Sequence, residues 1–201
     1  MPHLLMITDR HRTGGRALND VVTRALDAGL PGVLFRDKDL PDAEAVDQAI
    51  ALRDATSARG AVFFVAERPA LARRVGADGL HLGEAAMAPE PHAWDGALSV
   101  AAHDAGGLDR AGRVGARFAL LSPLFATRSH PQARPLGPER FAELAAGSPV
   151  PVLALGGIVP ANAVEATAAG AAGVACIDAI LAADDPAQAV GDFLGIVGDN
   201  G

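Results

Sequence analysis

Eight short apolar runs punctuate the chain, and their spacing constrains the fold more than any other feature. They are HLLMIT (3–8), GVLFR (32–36), AVFFV (61–65), DGLHL (78–82), LSVAA (98–102), FALLS (118–122), PVLALG (151–156) and GVACI (173–177). The runs are continuous more than alternating, which is the pattern of parallel strands covered on both faces. Between most of them lie Ala, Leu, Arg and Glu-rich segments of helical character, such as RALNDVVTRALDAG, DAEAVDQAIALRDATSARG and PERFAELAAG. A weak internal repeat supports the alternation. TRALDAGLPGVLF, ARRVGADGLHL, AGRVGARFALL and EATAAGAAGVAC each set a glycine (Gly29, Gly76, Gly115, Gly170) between a helix end and the next strand. Glycine suits that place because the residue past a helix commonly takes a left-handed conformation that a Cβ disfavours.

Eight strand-helix units in 201 residues meet the lower size limit of a (β/α)8 TIM barrel. No Pro, Gly or Ser-rich linker divides the chain, so the expectation is an α/β fold, one barrel domain over residues 1–201. A doubly wound open sheet competes, but its G-x-G-x-x-G fingerprint after the first strand is absent from MITDRHRTGGRALND. Only RPALARRVG and EAAMAPEPHAWDG separate strands three, four and five, so the third and fourth helices should be short.

Half the residues are apolar, enough for a sizeable core, and the net charge is -7. That charge and the scarcity of aromatic rings argue against nucleic acid as a partner. No uncharged apolar stretch is long enough to cross a bilayer, and MPHLLMITDRHR lacks the positive segment that opens a signal peptide. A membrane partner is not expected. The single cysteine, Cys176, sits in apolar GVACI and reads as a buried filler, which fits a reducing, cytoplasmic location. The sequence is compatible with a homo-oligomer. Between Asp109 and Glu139 there is no acidic residue, whereas Arg110, Arg113, Arg117, Arg128 and Arg134 all fall there, which makes the segment a candidate anion site.

A barrel of this kind works at the C-terminal ends of its strands. Reading off the residues at the ends of the runs gives Thr8 to Arg10, Arg36 to Lys38, Glu67 and Arg68, Gly83 and Glu84, His103 and Asp104, Thr127 to His130, Gly156 and Gly157, and Asp178. Gly156 and Gly157 after strand seven leave backbone N–H groups open to a phosphate, and CIDAIL after strand eight can open a helix toward the same place. The competing reading is a tight βα turn, with Asp178 as a helix N-cap. In FRDKD, Arg36 and Lys38 alternate and so face one side, suited to a diphosphate, while Asp37 and Asp39 should face outward.

TDR, FRDK, ERPALA, ADGLHLGE, AAHD, SPLFATRSHP, ALGGI and GVACIDAI occur in this order over nearly the whole chain. The set resembles the family of thiamine phosphate synthase and its close relative, the thiazole tautomerase. The resemblance implies a (β/α)8 barrel and small phosphate and diphosphate substrates. In the synthase a magnesium-bound aminopyrimidine diphosphate loses diphosphate, and a thiazole phosphate nitrogen captures the pyrimidine cation. Carried onto this sequence, Arg36, Lys38, Ser129 and His130 would act on the diphosphate. Thr127, Arg128, His103, Gly156, Gly157, Ile177 and Asp178 would line the substrates, and Glu67 and Glu84 would be the magnesium carboxylates. Several positions depart from the family pattern: Leu34 stands for a glutamine, Ala66 for an asparagine, Ala86 for a metal aspartate, Ala101 for a serine, His130 for a lysine and Asp178 for a serine. The tautomerase's characteristic histidine falls at Pro123. Two alternatives stand beside the synthase reading: a thiazole phosphate tautomerase-like isomerase, with His103 or Glu84 as base, and a non-catalytic binder of phosphate ligands.

Overall fold

The computed structural model describes residues 1–84, 94–129 and 131–198. All eight runs form strands: β1 (Leu4–Ile7), β2 (Gly32–Phe35), β3 (Val62–Ala66), β4 (Gly79–Leu82), β5 (Ala97–Ala102), β6 (Phe118–Leu121), β7 (Val152–Ala154) and β8 (Gly173–Cys176). They pair in sequence order, all parallel, and β8 returns to β1 through Leu4 opposite Val174, Leu5 opposite Ala175 and Met6 opposite Cys176. That closing pair decides between barrel and open sheet. A doubly wound sheet would leave two edges; here the strand order has none.

The helices form the outer layer: α1 (Leu18–Asp27), α2 (Asp42–Ser57), α3 (Pro69–Arg74), α4 (Ala105–Arg113), α5 (Gly137–Ala146), α6 (Pro160–Ala168), α7 (Asp178–Leu181) and α8 (Pro186–Val197). In α1 the buried residues are Leu18, Val21, Val22, Ala25 and Leu26, a stripe at helical spacing that faces the strands. Asp104 caps α4 by accepting the Gly107 N–H at 2.8 Å, and Asp185 caps α8 by accepting from Ala187 and Gln188. The four glycines that follow helices have φ between 61° and 93°, as their place in the repeat requires. As expected, α3 is a single short helix of six residues; the expected short fourth helix falls within 85–93, outside the described residues. No described helix is long and apolar enough to cross a membrane.

Strand residues divide by parity between two apolar layers. One set packs outward against the helices, with Leu4, Met6, Val33, Phe63, Val65 and Leu80 among its members. The other fills the barrel lumen, where Phe64 and Phe118 meet edge-to-face at 5.4 Å. Gly79 makes this possible, since a Cβ there would lie 2.1 Å from the Phe64 ring. The aromatic pair fills the barrel below the C-terminal strand ends, so any ligand must bind above it. Cys176 is buried, and burial pushes its thiol up to about 12, as suits a packing residue.

Candidate active site

Above the lumen core a cavity of about 550 Å³ opens at the C-terminal ends of the strands. Its floor takes one inward residue from each strand or the turn just past it: Ile7, Leu34, Ala66, His81, Ala101, Leu120, Leu155 and Ile177. Seven are apolar and one is a histidine. His81 is 6% exposed, its Nδ1 is 3.0 Å from the Ser99 hydroxyl on the neighbouring strand, and burial lowers it to about 4, so the ring is neutral near pH 7. His81 is absent from the strand-end candidates because it lies inside a strand. Period-two alternation is the signal that finds it: Leu80 and Leu82 face the helices, so the residue between them faces the lumen.

The rim carries the polar groups. Arg36, Lys38, Glu67, Glu84, His103, Thr127, Ser129 and Gly156 all line the cavity, and Arg134 and Ser122 join them. Of the basic segment, Arg134 lines the cavity and Arg110 reaches Glu84 at its edge. Arg128, Gly157 and Asp178 do not line it. His130 and Ala86 lie outside the described residues.

Two loop pairs shape this rim. Leu124 N–H donates to Leu155 O at 2.8 Å and Phe125 N–H to Gly156 O at 3.0 Å, so the segment after β6 pairs with the glycine turn after β7. Both glycines are required. Gly156 has φ 97° and a Cβ would lie 2.6 Å from that of Pro123; Gly157 has φ 66° and a Cβ would lie 2.4 Å from Ala126 O. Two residues further along the same segment, Thr127 Oγ1 accepts the Ser129 N–H at 3.3 Å, placing both hydroxyls on one short turn. Pro123 forms part of the wall.

The acidic residues do not all fall where expected. Asp37, expected to face outward, is buried: Oδ2 accepts the Thr8 hydroxyl at 2.6 Å and Oδ1 the Arg10 N–H at 2.6 Å. The tight turn after β1 brings these two donors over the end of β2, which a reading of FRDKD alone does not reveal. Asp39 is exposed as expected, held by Arg10 at 2.6 and 2.7 Å and by His11 at 2.9 Å, which keeps it well below the usual carboxylate range. Asp178 does not cap α7, whose N-cap is Ile177; instead both its oxygens accept from Arg12 Nη1 at 2.9 and 2.7 Å.

Both candidate metal carboxylates are paired with cations. Glu67 lies 2.7 Å from Lys38 Nζ; burial raises its carboxyl, but the Lys38 contact and the Gly83 N–H outweigh it and the net direction is downward. Its backbone has φ 54°, a left-handed conformation that costs a residue with a Cβ about 1–2 kcal/mol. Glu84 pairs with Arg110 of α4, with His103 Nε2 3.8 Å from its other oxygen. The His103 ring is set by Nδ1, which is 2.7 Å from Ser122 O and so donates to it. Among the described residues no three His, Cys, Asp or Glu side chains gather in a metal-binding cluster.

Comparison with known proteins supplies the frame. The thiamine monophosphate synthase family model matches residues 4–180. The thiamine-phosphate synthase of Roseiflexus sp. (strain RS-1) is 38% identical over 189 residues, covering 92% of this chain and 80% of that one. That of Methanoculleus marisnigri is 38% identical over 192 residues, covering 90% and 89%. The solved thiamine phosphate pyrophosphorylase from Pyrococcus furiosus superposes with a TM-score of 0.85 at 29% identity, covering 98% of this chain and 95% of that one. With strand-end motifs, closed barrel and rim chemistry in agreement, the chain belongs to the thiamine monophosphate synthase family.

Proposed function

We propose that this barrel works as one catalytic domain, a thiamine-phosphate synthase that joins an aminopyrimidine diphosphate to a thiazole phosphate with release of diphosphate. The observation that carries the reading is the convergence of two cations, Arg36 and Lys38, and two hydroxyls, Thr127 and Ser129, on one cavity whose floor is apolar. Such a cavity suits a leaving group of high negative charge beside a flat, uncharged ring.

In the reaction the C–O bond to diphosphate breaks and its electron pair leaves on the diphosphate oxygen. Arg36, Lys38, Thr127 and Ser129, with His130 next in the chain, stabilise the charge that develops there. The apolar floor keeps water from the pyrimidine cation, and the neutral ring of His81 does not oppose its charge. The thiazole nitrogen then donates its lone pair to form the C–N bond. No proton moves in this exchange, so His103 serves as a wall and contact residue, not as a base. Gly156 and Ile177, on the cavity wall, hold the thiazole phosphate side, while Gly157, Arg128 and Asp178 lie off that wall.

The family resemblance also implies magnesium. Among the described residues, Glu67 and Glu84 are the acidic side chains on the cavity wall, and each is already paired with a cation. The donor set therefore fits an ion that arrives on the diphosphate and takes one or two protein oxygens, not an ion caged by protein alone. When bound, it would supply positive charge to the leaving group. A buried thiol at Cys176 agrees with a reducing, cytoplasmic setting.

The test is direct. Purified protein with both substrates and magnesium should yield thiamine phosphate and diphosphate. Absence of product at high enzyme concentration, with both substrates shown intact, would refute the reading. Binding of thiazole phosphate without turnover would point to a non-catalytic binder.

A further inference from the structure

We infer that Thr8 and Asp37 are positioning residues for the cations that meet the diphosphate, an inference that rests on the roles proposed above for Arg36 and Lys38. Arg36 and Lys38 both line the cavity, and the residue between them points the other way. The Asp37 side chain is 1% exposed. A buried carboxylate is costly unless its oxygens are matched by donors, and here both are. Oδ2 accepts the Thr8 hydroxyl and Oδ1 the Arg10 N–H, each at 2.6 Å, with Arg10 Nη1 a further 3.9 Å ion-pair partner.

The Thr8 hydroxyl does two jobs at once. It donates to Asp37 and accepts the Arg36 N–H at 2.9 Å, while the Thr8 N–H continues the strand ladder to Leu34 O at 2.9 Å. The ladder between β1 and β2 thus passes into a side-chain clamp at the point where strand pairing ends. Successive residues of an extended chain face opposite sides. Fixing Asp37 toward β1 therefore turns Arg36 and Lys38 toward the cavity. Arg68 braces the far side of the same loop by donating to Lys38 O at 2.9 Å and Leu40 O at 2.7 Å. Neither Thr8 nor Asp37 lines the cavity, so their effect on a ligand runs through their neighbours.

Calorimetry on the full chain with inorganic diphosphate, and separately with thiazole phosphate, tests this in Thr8→Val, Thr8→Ser, Asp37→Asn and Lys38→Met variants whose melting temperatures are also measured. Thr8→Val and Asp37→Asn should each weaken diphosphate binding about tenfold, as expected for loss of a charge-assisted hydrogen bond. They should raise KM for the aminopyrimidine diphosphate more than they lower kcat, and leave thiazole phosphate affinity unchanged. Thr8→Ser, which keeps the hydroxyl, should bind diphosphate like the unaltered chain. Undiminished diphosphate affinity in Thr8→Val, or equal losses for both ligands, would overturn the positioning role. Undiminished affinity in Lys38→Met would instead remove the reading of the site on which it rests.

Discussion

Arg12 Nη1 stands within 2.9 Å of both carboxylate oxygens of Asp178, and its Nε reaches Asp9 at 3.1 Å. The acid after β8, where the family resemblance implies a serine, therefore comes with its own counter-charge from the turn after β1. An uncompensated carboxylate beside a phosphate site would repel the ligand. Arg12→Met should raise KM for thiazole phosphate about tenfold, the equivalent of about 1.4 kcal/mol. Adding Asp178→Ser should recover most of the loss, and steady-state kinetics on the two single variants and the double variant would show it.

Lys38 and Glu67 neutralise one another across 2.7 Å. On the proposed function, arriving diphosphate would compete for Lys38 and an accompanying cation for Glu67, so each should favour the other's binding. Titration of diphosphate with and without magnesium should show a large difference in the unaltered chain. In Glu67→Gln that difference should shrink at least several-fold, because the amide neither holds Lys38 by charge nor attracts the metal.

The glycines after β7 and within α8 should respond oppositely to alanine. Gly157→Ala places a Cβ 2.4 Å from Ala126 O at φ 66°, and should cost about 1–3 kcal/mol in denaturant unfolding together with most of the activity. Gly191, exposed on α8, has a helical backbone and open space, with no atom within 4 Å of where a Cβ would stand. Gly191→Ala should stabilise by about 0.5–1 kcal/mol and leave turnover unchanged.

His81 gives the stability a defined acid dependence. Its folded value is about 4, lowered by burial from an ordinary 6.5. Between those values the unfolded chain binds a proton at His81 that the folded chain does not. Stability therefore falls as pH drops through this window, by up to about 1.4 kcal/mol per pH unit from this group. Unfolding curves between pH 7 and 4, compared with those of His81→Asn, should show that part of the slope disappear.

The fold is readable in the sequence because it depends on repetition. Eight apolar runs with intervening helices and recurrent glycines carry the same message many times over, and one ambiguous connection does not obscure it. The rim is readable where a residue's place after a strand determines its direction, as with Arg36, Lys38, Thr127 and Ser129. Relations between distant segments escape such a reading. The burial of Asp37 depends on Thr8 and Arg10, the neutralised Asp178 on Arg12, and the paired Glu84 on Arg110. None of these partners is a sequence neighbour, and closure of the barrel is what makes them spatial ones. His81 escapes for a different reason: attention to strand ends passes over a polar side chain in mid-strand that points into the lumen.

The pairing of Leu124 and Phe125 with Leu155 and Gly156 has a consequence for redesign. The ribbon that carries Thr127 and Ser129 is stitched to the turn that carries Gly156 and Gly157, so the groups proposed above for the diphosphate and for the thiazole phosphate sit on a single mechanical part. Grafting a new loop after β6 would also reshape the glycine turn after β7. On the proposed reading, the two specificities can be altered together far more readily than one at a time.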